Sequence, residues 1–233
     1  LLRIRAGHSV PGIRALLTVG KRNAATAVAD DLGFAVGPRL NAAGRLDDMS
    51  LGIECLLTDD AGEAQAMAQQ LDALNRDRRE IEADMQVQAL AALRDLDLSE
   101  ARLPTGLCLF DMDWHQGVIG ILAARIRERF HRPVVAFARS EAGEIKGSAR
   151  SVSGLHIRDV LDAIATRHPA LIRKFGGHAM AAGLTLAEAD YAAFAAAFDA
   201  EVSRHLSADD LATVIWSDGQ LSAAELSLDT AQV

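Results

Sequence analysis

The sequence predicts an α/β protein in which a helical first part is joined by one long helix to a second part built around a sheet. Three observations lead there. After Leu103, short apolar runs alternate with helical patterns in the order strand, helix, strand. From Thr58 to Leu98, apolar or small residues recur every three or four positions, the stripe of a single long helix. Before Thr58 only short helical patterns occur, broken by glycines, and the 233 residues, half of them apolar, suffice for one large domain or two ordinary ones.

The elements follow in order. Pro11-Gly12 ahead of Ile13, Leu16 and Leu17 predicts a short helix beginning at proline. Thr26 to Leu32 predicts a second, stopped by Gly33, and Phe34 to Val36 a short strand. The stretch Gly37-Pro38-Arg39-Leu40-Asn41-Ala42-Ala43-Gly44-Arg45 has neither regular period and opens on Gly-Pro, so it reads as a loop.

Thr58 is a good N-cap ahead of Asp59, Asp60 and Glu63. The stripe behind it comprises Ala64, Met67, Leu71, Leu74, Ile81 and Met85. Charge on the other face and an end near Leu98, before Pro104, suggest a connector between lobes rather than a core element. A dimeric coiled coil is the second choice, weakened by Arg78 in the stripe.

Beyond it, Leu107 to Phe110 reads as a strand, Val118 to Phe130 as a helix and Pro133 to Ala138 as a strand. A turn at Glu141-Ala142-Gly143 leads into Ile145 to Ala149. Leu155 to Ala165 predicts a helix, Ala181 to Leu186 a strand, Tyr191 to Leu206 an Ala-rich helix, and Val214 to Leu221 a strand and turn. These patterns divide the chain at 1–57, 58–102, 103–206 and 207–233.

The net charge of −8 is unevenly spread: residues 1–50 sum to +3, 51–100 to −8, 101–185 to +5 and 186–233 to −8. Two basic pieces separated by an acidic one can line a positive groove, because local potential recruits an anionic polymer. Arg supplies 21 of the 24 cations, which suits bidentate phosphate contacts and is equally what genome composition can produce. Cys55 and Cys108, far apart, exclude a disulfide framework and a structural zinc site. No apolar run approaches the roughly 20 residues of a membrane helix and no signal pattern is present, so a cytoplasmic protein is expected. The opening at Leu1 reads as a piece of a longer chain.

Several constellations could carry chemistry. Trp114-His115-Gln116-Gly117-Val118-Ile119-Gly120 lies where a strand passes into a helix, so free N–H groups and an imidazole converge, with Gly117 letting a ligand approach and Gly120 letting the helix pack closely. Asp111, Asp113 and His115 alternate as metal ligands can, although acids at strand ends are commoner without a metal. Gly147-Ser148-Ala149-Arg150-Ser151 sets two hydroxyls and a guanidinium among small residues, leaving room for a phosphodiester. Phe175-Gly176-Gly177-His178, followed by small residues, permits close approach of a large ligand, or else holds a core histidine. Arg39, Asn41 and Arg45 share one stretch read as a binding loop. No nucleophile elbow, Walker loop or dinucleotide fingerprint occurs.

Taken in order, GPRLNAAGRLDD at 37–48, DWHQGVIGILAARI at 113–126, GSARS at 147–151 and FGGHAMAAGL at 175–184 closely resemble the bacterial single-strand-specific DNA exonucleases of the DHH phosphoesterase superfamily. The resemblance implies the end of a DHH domain over 1–57, a connecting helix, a DHHA1 domain over 103–206 and the start of an OB-fold. It implies 5′-to-3′ metal-dependent hydrolysis of single-stranded DNA in repair and recombination. His178 and His115 would be catalytic. Arg39, Asn41, Arg45, Gln116, Ser148, Arg150, Ser151, Gly176 and Gly177 would hold the strand. The family's Asp-rich and Asp-His-His metal motifs are not found in the sequence, so manganese or magnesium would be bound by residues outside this chain, which alone would be inactive. Partners implied are single-stranded DNA, a single-stranded-DNA-binding protein and a RecQ-type helicase, with a monomeric enzyme and no membrane. Within the superfamily a nanoRNA or cyclic-dinucleotide phosphodiesterase is the alternative. From another class it is a nucleic-acid-binding module like the appendage of alanyl-tRNA synthetases.

Overall fold

The computed structural model describes residues 1–95, 103–141, 143–207, 209–212, 217, 219–223, 225–228 and 230. The first part is helical. A single turn, α1 (Leu2–Arg5), precedes α2 (Pro11–Val19), whose Pro11 stands in the first turn, where a missing N–H loses nothing. A 3-10 turn (Ala24–Thr26) and the short α3 (Ala29–Asp31) replace the single helix expected over 26–32.

The expected strand 34–36 and loop 37–45 are both helical: a π turn (Leu32–Val36) runs directly into α4 (Gly37–Leu46). Pro38 is the reason for this shape. It has no N–H to offer and tolerates only the opening of a helix, and the residue before a proline normally avoids helical angles because its Cβ clashes. Gly37 has no Cβ and sits at φ −54, ψ −46, its N–H reaching back five residues to the Leu32 carbonyl. Gly33, read as a stop, lies inside the π turn.

Helix α5 (Ser50–Leu57) leads to α6 (Ala61–Asp95). Asp60 rather than Thr58 caps α6, its carboxylate accepting the Glu63 N–H at 2.8 Å while the Thr58 hydroxyl accepts the Asp60 N–H. Its apolar stripe is core at both ends: Ala64, Ala68 and Leu71 pack with Leu16, Leu17 and Cys55, and Met85 and Ala89 pack with the second part. The connector is therefore also a core element, contrary to the expectation. Arg78, which interrupts the stripe, is nearly buried against Glu82 at 2.6 Å, and Glu82 also takes Arg125 of the second part at 3.2 Å.

The second part is a five-stranded mixed sheet of β1 (Leu107–Asp111), β2 (Val134–Arg139), β3 (Glu144–Arg150), β4 (Lys174–Gly177) and β5 (Ala181–Ala187), in the order β1-β2-β3-β5-β4. Only β1 and β2 are parallel, joined through α7 (Ile119–Phe130). Alternation along the strands sends Val135, Phe137, Ile145, Leu184 and Leu186 to one face, under α8 (Ile157–Arg167) and α9 (Tyr191–Val202). Leu107, Leu109, Val134 and Ala136 face the other way, under α7 and the end of α6. Gly147 points into the first of these cores, where a Cβ would lie 2.5 Å from the Phe137 ring. Strand β4 escaped the sequence reading, because four residues with two glycines carry no apolar alternation.

Among the described residues no helix is long and apolar enough to cross a membrane. Of the expected strand Val214 to Leu221, residues 214–216 and 218 lie outside the described residues, as does part of the rest of 207–233, and Gly219–Leu221 form no regular element.

Candidate functional site

The site forms where the second part meets the end of α4. After β1, the Asp111 carboxylate accepts the Asp113 N–H at 2.9 Å and turns the chain, and Trp114 is buried with its indole N–H on Gln88 of α6 at 2.8 Å. The turn presents His115 and Gln116 outward and brings Gly117 against the other part. A Cβ on Gly117 would lie 1.9 Å from the Arg45 carbonyl oxygen. In return Arg45 donates to the Gly117 carbonyl at 3.2 Å. Gly117 thus admits the backbone of α4, not a ligand, as had been expected.

His115 Nδ1 accepts the Gly117 N–H at 3.1 Å, which in the neutral ring leaves the proton on Nε2 as a donor. Gln116 donates its amide to the Arg139 carbonyl at 2.9 Å and so ties the turn to β2.

Opposite the start of α7, β3 supplies Ser148 and Arg150. Arg150 Nη1 donates to Ser148 Oγ at 2.9 Å and to the Ala149 carbonyl at 2.8 Å. Gly120 of α7 makes room for this pair: a Cβ there would stand 2.8 Å from the guanidinium and 3.0 Å from the hydroxyl. Burial holds the Arg150 pKa below the usual value, and Arg45 and Arg127 lower it further. Arg45 and Arg150 flank the start of α7, beside Gly117 and Gly120, and neither has an acidic partner among the described residues, whereas Arg127 is engaged by Glu128 and the Ser151 carbonyl. An anion placed there relieves the repulsion and gains charge-assisted bonds.

The ladder carries the site across the sheet. Arg150 pairs with Ala181 of β5, and His178, just past β4, donates its backbone N–H to the Ala181 carbonyl. Arg150, Ala181 and His178 occupy one row, and the His178 side chain is exposed with no partner among the described residues. Gly177 makes this turn possible, with φ +151 and no space for a Cβ, which would lie 2.4 Å from the Ala181 carbonyl oxygen. Gly176, by contrast, faces open space.

Two of the sequence-predicted residues are engaged within the fold. Arg39 is bound to Asp72 at 2.7 Å and to the Ala35 and Val19 carbonyls, so it fastens α4 to α6 and α2 and is not free to meet a strand. Ser151 is fully buried, with its hydroxyl on the Leu155 carbonyl at 2.7 Å, and shapes the turn after β3. Asn41 and Arg45, one helical turn apart on α4, are both exposed. Arg127, whose charge also lowers the Arg150 pKa, is a neighbour that sequence reasoning missed: it lies inside an ordinary amphipathic helix with no motif around it. Among the described residues no group of three or more His, Cys, Asp or Glu could hold a metal ion, and the Asp111 carboxylate is spent on the backbone, so the alternation at 111–115 does not form a metal set.

Residues 104–204, a sheet flanked by helices on both faces, match the DHHA1 domain family. Over its whole length the chain is similar to RecJ. It is 58% identical over 233 residues to the single-stranded-DNA-specific exonuclease RecJ of Dickeya dadantii, covering 100% of this chain and 40% of that protein. To RecJ of Escherichia coli it is 53% identical over 231 residues, 99% of this chain and again 40% of that one. The chain thus spans about 40% of the length of these relatives. Among solved structures, RecJ of Thermus thermophilus in complex with Mg2+ superposes with a TM-score of 0.74 at 33% identity, covering 87% of this chain and 30% of that chain. Exonuclease RecJ bound to manganese superposes with 0.70 at 32% identity, covering 90% and 51%.

Proposed function

We propose that this chain is the strand-holding portion of a 5′-to-3′ single-stranded DNA exonuclease of repair and recombination, a metal-dependent phosphodiesterase. The observation that carries the reading is the Arg150–Ser148 pair against Gly120, with Arg45 on the neighbouring Gly117 carbonyl and no acid opposite Arg45 or Arg150 among the described residues. Such a socket fits a phosphate. The chain's similarity to proteins named for that activity supports the same assignment, and the Mg2+ and Mn2+ of the RecJ structures support a divalent ion. In this reading the ion is held by residues outside this chain, which contributes binding and orientation.

In this reading Arg150, Ser148 and Arg45 grip a phosphate, Gln116 and Asn41 line its approach, and Gly176 and Gly177 let the strand come close. His178 and His115 Nε2–H donate to phosphate oxygens whose charge grows during hydrolysis. The division at 57, 102 and 206 belongs to the same proposal. So do a monomeric cytoplasmic enzyme and its contacts with a single-stranded-DNA-binding protein and a RecQ-type helicase.

The test is fluorescence anisotropy with a 5′-phosphorylated single-stranded oligonucleotide. Charge-assisted bonds are worth about 1.5–3 kcal/mol, so Arg150→Ala is expected to weaken binding by about one to two orders of magnitude. Its salt slope is expected to fall by about 0.7, one single-strand phosphate contact. Equal affinity of the variant at two salt concentrations would remove the socket from the binding surface.

A further inference from the structure

Helix α7 covers only part of its face of the sheet. Beyond it, β3, β5 and β4 present an uncovered surface, a depression of about 360 Å3. The register makes its composition clear. Lys146, Thr185 and Lys174 stand directly across from one another on the three strands, and Ser148, Gly183 and Gly176 form the adjacent row. The next row is that of Arg150 and Ala181, so the depression continues the phosphate socket along β3.

Two features of this surface are unexplained by the fold. The chain has only three lysines, and two of them face each other here, both exposed and without an acidic partner among the described residues. The nearby carboxylates do not neutralise them, since Glu144 is bound to Arg173 and Glu188 to Arg139. The glycines are equally unforced. A Cβ on Gly176 would meet nothing within 4 Å and one on Gly183 only a carbonyl oxygen at 3.9 Å, and neither has a positive φ. Glycine inside a strand forfeits about 0.5–1 kcal/mol against alanine and marks places where a ligand comes close to the backbone.

We propose that the Lys146–Thr185–Lys174 row is a second phosphate-contacting station, which holds the same single strand beyond the Ser148–Arg150 socket with a nucleotide lying against the Gly176–Gly183 floor. Single-stranded nucleic acid is the occupant because the row is cationic and continuous with the socket. A second phosphate needs no guanidinium fork: an ammonium on a flexible stem serves a backbone whose spacing varies. Lys146 and Arg150 lie four residues apart on one strand, about 13 Å, and Lys146 and Lys174 two strand spacings apart, about 10 Å. A ligand must therefore be longer than one nucleotide to touch both stations. This inference rests on the proposed grip on a strand and adds its path.

The experiment compares the chain with Lys146→Ala/Lys174→Ala and with Arg150→Ala, using a 5′-phosphorylated mononucleotide and a 5′-phosphorylated oligonucleotide of about 12 nucleotides, the second within ordinary single-strand site sizes. The double variant is expected to lose roughly tenfold in affinity for the oligonucleotide, with the salt slope smaller by about 1.4, and almost nothing for the mononucleotide. Arg150→Ala is expected to weaken both. Unchanged binding of the oligonucleotide by the double variant, while Arg150→Ala weakens it, overturns the second station and leaves the socket standing. An equal loss for both ligands together with a lowered Tm also overturns it, as a structural effect. Absence of binding by the unaltered chain overturns both readings.

Discussion

Replacing Gly117 by alanine tests the joint between the two parts. The added Cβ would lie 1.9 Å from the Arg45 carbonyl oxygen, 2.8 Å from its carbon and 3.2 Å from its Cα. Ordinary carbon–oxygen contacts begin near 3.3 Å, so the two backbones must separate by about 1.4 Å. Neither side yields easily. Val118 and Ile119 are buried just after Gly117, and Ala42 and Ala43 just before Arg45. Overpacking between two anchored segments costs about 1–3 kcal/mol, and at roughly 2–4 °C per kcal/mol for a chain of this size Tm should fall by about 2–12 °C. The Arg45–Gly117 hydrogen bond breaks at the same time and withdraws one guanidinium from the socket, so oligonucleotide affinity should fall as well. Calorimetry and anisotropy on the same preparation measure both. Gly33→Ala serves as control, because a Cβ there meets nothing within 4 Å. A Tm within about 1 °C of the parent, with unchanged affinity, would refute the claim that this glycine sets the approach of the two parts.

Gly176→Ala should leave Tm unchanged or raise it slightly, since the site is open, yet weaken binding of the oligonucleotide; titration beside a thermal melt checks both. Gly177→Ala should instead destabilise by about 1–3 kcal/mol, because its positive φ and the Ala181 backbone leave no place for a Cβ, and denaturant unfolding measures this. In a full-length relative carrying the same residue, the counterpart of His178→Ala should lower kcat by about one to three orders of magnitude at nearly constant Tm, whereas a core histidine would lose stability with activity. Burial raises the Cys55 and Cys108 thiols above their usual pKa, with Asp199 adding to the rise at Cys108, so both should resist a maleimide at pH 7.5 until the chain is unfolded, as mass spectrometry would show.

The sheet domain was legible because its strands and helices are apolar runs of ordinary length between clear breaks, and Leu107, Val134 and Ile145 all fall where the pattern sets them. The segment 32–46 was not, because Gly-Pro reads as a turn signal, yet a glycine before proline has no Cβ to clash and can keep helical angles. Here glycine precedes, a helix begins, and Arg39 locks it with bonds to Asp72 and two carbonyls. Of the candidate site, Ser148, Arg150 and Arg45 were visible as polar residues among small ones, and the first two are hydrogen-bonded to each other. Arg127 was hidden, since only the packing of α7 on β3 brings it near Arg150. Ser151 shows the converse: a hydroxyl that the sequence places beside Ser148 and Arg150 stands just past the strand, buried, and its oxygen is used on the Leu155 carbonyl.

Helix α6 has a mechanical consequence. Its 35 residues make a rod of about 52 Å, embedded in one core near Leu71 and in another near Met85, about 21 Å along. A member held in two cores can bend only over the stretch between them, and there the Arg78–Glu82–Arg125 bridge braces it against the second part. With Gly117 and Arg45 acting as a second tie, the two parts work like a caliper whose jaws are locked at one setting. Such a device sorts ligands by whether they fit the gap as it stands. Its association rate should then follow electrostatic encounter and salt, with no slow closing phase in stopped-flow traces.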